Sequence, residues 1–167
     1  MRKLNLLILL ICITTVSCMT DKQNGPNPFF EKYNTPHATV PFDKIKNEHY
    51  EPAILEGIKR QTAEIDAIIA NQEPATYENT ILTYENSGEL LDRVLTVFFN
   101  LRSAETNDEL QEIAQKMMPA LTEHSNNISL NQDLFTRVKE VYNQKETLDL
   151  THEQVVLLDK MYDGFVR

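Results

Sequence analysis

PFDKIKNEHYEPAILEGIKRQTAEIDAII, residues 41–69, is where this chain changes character. Upstream lie an apolar leader and a segment punctuated by Pro; downstream lies one helical pattern after another. Pro52 suits the first turn of a helix, where a backbone N–H would have no intrahelical acceptor. Ile54, Ile58, Ile65, Ile68 and Ile69 then fall on one face at helical spacing. The spacing predicts a helix over residues 50–70, stopped by the polar run from Asn71 to Pro74.

The pattern continues with unusual regularity. Tyr77, Ile81, Tyr84, Gly88, Leu91, Leu95 and Phe98 are separated by 4, 3, 4, 3, 4 and 3 residues, and Thr76 is an N-cap candidate just before them. A seven-residue repeat that runs through Ser87-Gly88 predicts one long helix over residues 77–104, despite a cost of about 1 kcal/mol for a mid-helix Gly. On that reading Gly88 lies on the seam and lets a neighbouring helix approach. Leu90, Val94, Val97, Phe99 and Leu101 widen the apolar face, so this helix is expected to be central or covered by further protein.

Thr106-Asn107-Asp108-Glu109 caps a third helix, with Leu110, Ile113, Met117, Leu121 and Ile128 on its face, His124 near that face, and Pro119 bending it. Asn131 starts a fourth, with Leu134, Phe135, Val138, Val141 and Tyr142 inward. A capping box, Thr151-x-x-Gln154, starts a fifth, faced by Val155, Leu158, Tyr162 and Phe165. Five helices with short polar connections over residues 47–167 make an all-α body. The pattern is still running at Arg167.

Upstream, residues 1–17 read as a signal peptide. Arg2 and Lys3 precede an apolar run, residues 4–16, that is shorter than the roughly 20 residues a spanning helix needs. Val16-Ser17-Cys18 resembles a bacterial lipobox, with Thr15 where Leu is usual. Cleavage before Cys18 and acylation of that residue would make an exported, membrane-anchored lipoprotein. Cys12 would leave with the leader, so the mature chain would hold no disulfide and rely on packing alone. Residues 18–46 follow as a tether and an extended arm. The tether around Gly25-Pro26-Asn27-Pro28 has no apolar periodicity. Phe29, Phe30 and Tyr33 are expected to lie over the helices, and His37, between Pro36 and Ala38, to be exposed.

The whole chain has 167 residues, formal charge −9, 4 Gly, 2 Cys and no Trp. That length suits one modest domain, and so few Gly favour helices. The acidic balance argues against nucleic acid as a partner, because phosphate binding needs a basic face. Losing Arg2 and Lys3 with the leader takes the charge to −11.

Catalytic chemistry is sparse. His152-Glu153-Gln154-Val155-Val156 opens like H-E-x-x-H, but Val156 stands where the second imidazole must be, so it makes no zinc site. His49 reads as a capping or packing residue, and His124 lies on or near the apolar face of the third helix. There is no Cys cluster, no Ser-His-Asp pattern and no Gly-rich phosphate loop. The residues yield no catalytic and no metal-binding candidate; Cys18 is the one site residue, for lipidation.

The order of motifs carries a resemblance. Pro41-Phe42-x-x-Ile45-x-x-x-His49-Tyr50-x-Pro52-Ala53 resembles the opening of the thimet oligopeptidase family of zinc metallopeptidases, in its bacterial dipeptidyl carboxypeptidase and oligopeptidase A branch. Pro74-x-Thr76-Tyr77-Glu78-Asn79-Thr80, Ser87-Gly88-x-Leu90-Leu91, Val97-Phe98-Phe99-Asn100-Leu101 and Thr106-Asn107-Asp108 follow in the family's order. Leu130-Asn131, Leu134-Phe135, Leu157-Leu158 and Phe165-Val166-Arg167 continue it. The resemblance implies an all-helical zinc peptidase with a deep channel, walled partly by its N-terminal helices, that cuts short peptides. Its zinc would sit on an H-E-x-x-H helix that has no counterpart in these residues. The expectation is therefore the N-terminal, channel-wall region of such an enzyme, inactive as 167 residues alone and without a cofactor of its own. The alternative is a free-standing helical lipoprotein that binds a partner or peptide without catalysis.

Overall fold

The computed structural model describes residues 26–166. The leader, Cys18 and the first part of the tether lie outside the described residues. Among those described there are helices and turns and no strand. The first long helix, α1, spans Tyr50–Ala70, with the expected bounds. A 3-10 turn, Asn47–His49, feeds into it, and the Nδ1 of His49 accepts the Lys46 N–H at 3.1 Å. That bond assigns His49 the capping role its position suggested.

Phe29 and Tyr33 of the arm pack on the body, whereas Phe30 is 41% exposed. Phe29 is fully buried, and Asn27 Nδ2 donates to the His49 carbonyl at 2.8 Å. Arg93 donates to the Phe29 carbonyl at 2.7 Å. His37 is exposed, with φ 57°.

The expected single helix over residues 77–104 is broken. The chain runs as a π-helical turn, Tyr77–Leu82, into a short α2, Thr83–Glu85, and restarts as α3, Glu89–Ala104. Thr76 is the N-cap, in a reciprocal pair with Asn79. Between α2 and α3, Gly88 has φ 79°, a left-handed conformation that ends one helix and starts the next. A Cβ there would sit 2.4 Å from the Gln61 amide nitrogen, and the Gly88 N–H donates to Glu64 at 2.7 Å. The seven-residue repeat spans this break: Tyr77 and Ile81 pack toward Val138 and Leu158 further along the chain, Tyr84 packs against Ile65 and Ile68 of α1, and Leu91 and Phe98 join α1 in the main core. The close helix approach assigned to Gly88 falls at Gly57, where a Cβ would meet the Leu91 Cα at 2.9 Å.

The third expected helix is α4, Asp108–Ser129, capped by Asn107 Oδ1 accepting from Leu110 N–H at 2.8 Å. It continues through Pro119, which lies at the surface. Then come α5, Gln132–Asn143, and α6, His152–Val166. The capping box of α6 forms: Thr151 N–H donates to Gln154 Oε1 at 2.8 Å, and Gln154 N–H to Thr151 Oγ1 at 3.4 Å.

The central element is α1, not the segment after Tyr77. It packs on α3, α4 and α5. Its first half joins Phe29, Tyr50, Ile54, Val94 and Phe98 in the main core. Its second half carries Ile65 and Ile68 against Leu134 of α5. A further cluster joins the π-helical turn to α5 and α6 through Ile81, Val138 and Leu158. Arg137 of α5 clamps the link after α1, donating to the carbonyls of Asn71 at 2.8 Å and Glu73 at 3.3 Å. No described helix is long and apolar enough to cross a membrane.

Candidate functional site

A groove of about 530 Å³ opens between α3 and α4. Its α3 wall follows from the sequence spacing of Leu91, Leu95 and Phe99, one every helical turn. Leu91 is buried in the core, whereas Leu95 and Phe99 are half-buried. The α4 wall alternates apolar Met118, Leu121 and Ile128 with polar Thr122, Ser125, Asn126 and Ser129. Met118 is 44% exposed, a large apolar side chain at the open edge.

The floor is polar and closed on itself. His124 is buried, and its Nε2 lies 2.8 Å from Gln61 Oε1. That amide oxygen only accepts, so the network assigns the proton to Nε2. Burial lowers the His124 pKa, which favours this neutral form. Its Nδ1 lies 3.4 Å from Thr62 Oγ1, whose hydrogen goes to the Ile58 carbonyl at 2.9 Å. Gln61 Nε2 donates to Ser87 Oγ at 3.4 Å, and Ser87 Oγ to the Tyr84 carbonyl at 2.8 Å. This chain of bonds ties α4 to α1 and α1 to the break before α3. Among the described residues this network places no base against a nucleophile.

A second hollow of about 370 Å³ shares Gln61, Tyr84 and Ser129 with the groove and extends it toward Phe165 of α6, past Glu85, Asp92 and Lys160. On the other side a shallow hollow of about 580 Å³ continues along α3 from Asp92 past Phe99 to Ser103.

The remaining histidines are scattered. His152 is exposed in the first turn of α6, one turn before Val156. Among the described residues no three His, Cys, Asp or Glu side chains gather as a metal ion requires. Cys18 lies outside them. Sequence reading placed His124 near its helix face but missed its partner Gln61, the Gly57 approach and the Arg137 clamp. Gly57 left a trace, a small residue one turn beyond buried Ala53 and Ile54. Arg137 left none, because its acceptors lie more than 55 residues away in the chain.

No protein-family model matches the chain. It is 43% identical over 140 residues to the dipeptidyl carboxypeptidase of Escherichia coli (strain K12), which covers 84% of this chain and 21% of that protein. The dipeptidyl carboxypeptidase of Salmonella typhimurium (strain LT2) is 40% identical over 140 residues, with the same coverage. Oligopeptidase A of the same Salmonella strain is 23% identical over 139 residues, 83% of this chain and 20% of that protein. The chain thus spans about one fifth of the length of the curated relatives it matches. Four-fifths of its own residues align in this way, so the ordered motifs and the all-α body share one origin: the chain belongs to the thimet oligopeptidase family, in its dipeptidyl carboxypeptidase and oligopeptidase A branch.

Proposed function

We propose that this chain serves a zinc-dependent dipeptidyl carboxypeptidase-type metallopeptidase as its helical channel-wall region. The catalytic zinc and its ligands would come from sequence other than these residues. The supporting observation is the 43% identity over 140 residues to a protein nearly five times as long as the match. The described body offers zinc no ligand set. His49, His124 and His152 stand on three separate elements, and the first two have their Nδ1 or Nε2 engaged. In the proposed role the helices bound the space that short peptides enter. An antibody against residues 47–167 should recover from the native source a species several-fold larger than 19.3 kDa. That species should carry chelator-sensitive release of C-terminal dipeptides. A species of 19.3 kDa without that activity would sink the proposal in favour of a free-standing helical lipoprotein.

Export and anchoring belong to the same proposal. Cys18 is read as the acylated residue, which places the protein on a bacterial envelope membrane. Two or more acyl chains make a durable anchor, each buried CH₂ adding about 0.8 kcal/mol. Cys18→Ala should therefore move the protein from the membrane fraction to the soluble fraction. Unchanged partitioning would refute the lipid anchor.

A further inference from the structure

α3 and α4 are joined by the three residues 105–107, and both pack on α1, yet beyond that link they scarcely approach one another. The groove is the valley between them. The walls have the form that a helix fits. Leu91, Leu95 and Phe99 make a ridge at every fourth residue, and Ser125 and Ser129 leave holes along the facing wall. The floor is satisfied by its own bonds, from His124 through Gln61 to Ser87, and the polar side chains of Thr122, Ser125 and Asn126 stand along the α4 wall.

We propose that this valley is the docking seat of one amphipathic α-helix. Its apolar residues, spaced i, i+3 or i+4, and i+7, would fill the groove, and Lys or Arg would line its flank. The hollow at the α6 end of the valley supports the basic flank: Glu85 and Asp92 line it against one cation, Lys160, on a chain of formal charge −9. A second copy of this chain is disfavoured as the occupant, because it would set the same acids opposite themselves. The hollows at either end extend the seat beyond the central 530 Å³, as a helix of several turns needs. The inference rests on the fold alone and not on the proposed peptidase role.

The test is a titration of the full 167-residue chain with labelled helical peptides of roughly five turns. One peptide carries Leu at i, i+3, i+4 and i+7 with Lys flanks; its match carries Glu flanks. The Lys-flanked peptide should bind about tenfold tighter or more, with the gap narrowing as salt rises. Met118→Asp and Leu95→Asp should each weaken binding about tenfold or more, with helical circular dichroism unchanged. Met118, at the open edge, keeps the test valid if the Leu95 variant fails to fold. Equal binding of both peptides, no binding of either, or binding indifferent to Met118→Asp overturns the proposal. A self-associated chain that Met118→Asp dissociates overturns it too, in favour of a second copy.

Discussion

Tyr50→Ala should lower the unfolding free energy by about 3–5 kcal/mol, the range for truncating a fully packed aromatic. Tyr50 is 1% exposed and opens α1. Its ring lies 5.4 Å from that of Phe29 and 5.1 Å from that of Phe98, so one side chain joins the arm, α1 and α3. Its hydroxyl, however, is buried without a protein partner. Removing an unsatisfied buried hydroxyl relieves a desolvation cost, so Tyr50→Phe should be neutral or stabilising by about 1 kcal/mol. Urea denaturation of both variants separates ring from hydroxyl, and similar losses for Ala and Phe would refute the packing account. The same hydroxyl sets an alkaline limit. Burial, then the neighbouring Tyr33, push the Tyr50 pKa from 10.0 up to about 12. Below pH 10 the phenol is protonated in both folded and unfolded chains, so stability does not change there. As pH rises from 10 toward 12 the unfolded chain loses the proton first, and stability falls. Tyr50→Phe should flatten that fall.

Gly57→Val should cost about 2–3 kcal/mol, near the top of the range for overpacking a filled core. A Cβ at Gly57 would lie 2.9 Å from the Leu91 Cα and 3.1 Å from the Leu91 N and Cβ. Backbone cannot swing aside as a side chain can, so α1 and α3 must separate. Gly57→Ala adds one carbon and gains about 1 kcal/mol in helix propensity, so its net loss should be smaller. Gly164 supplies the control. It lies in α6 with nothing within 4 Å of its would-be Cβ, so Gly164→Ala should stabilise by about 0.5–1 kcal/mol. Thermal melts of the three variants decide the matter. A Gly57→Val melt unchanged from the parent would show that the helices do not meet at that residue.

The contrast between Gly57 and Gly88 shows where sequence reading stops. Both are Gly on a buried helical face, and the seven-residue repeat pointed to Gly88 as the place of close approach. The repeat reports which residues face a neighbour. It does not report whether the backbone between them is continuous. Here the backbone breaks at Gly88, with φ 79°, and the apolar positions before and after it face different neighbours, α5 and α6 for Tyr77 and Ile81, α1 for Leu91 and Phe98. The groove escaped sequence reading for a related reason. Leu95, Phe99 and Leu121 read as ordinary core positions, and only the divergence of α3 from α4 leaves them half-covered.

The sequence by itself determined the helical class, the bounds of α1, the caps at Thr76, Asn107, Asn131 and Thr151, and the place of His124 near the apolar face of its helix. These depend on short-range periodicity and on side chains that bond the backbone two or three residues away. The tertiary structure alone decided which helix is central, where two backbones touch, that Arg137 clamps the end of α1, and that a valley opens between α3 and α4. Those follow from how helix faces meet across tens of residues, and a linear pattern of apolar positions fits more than one such meeting.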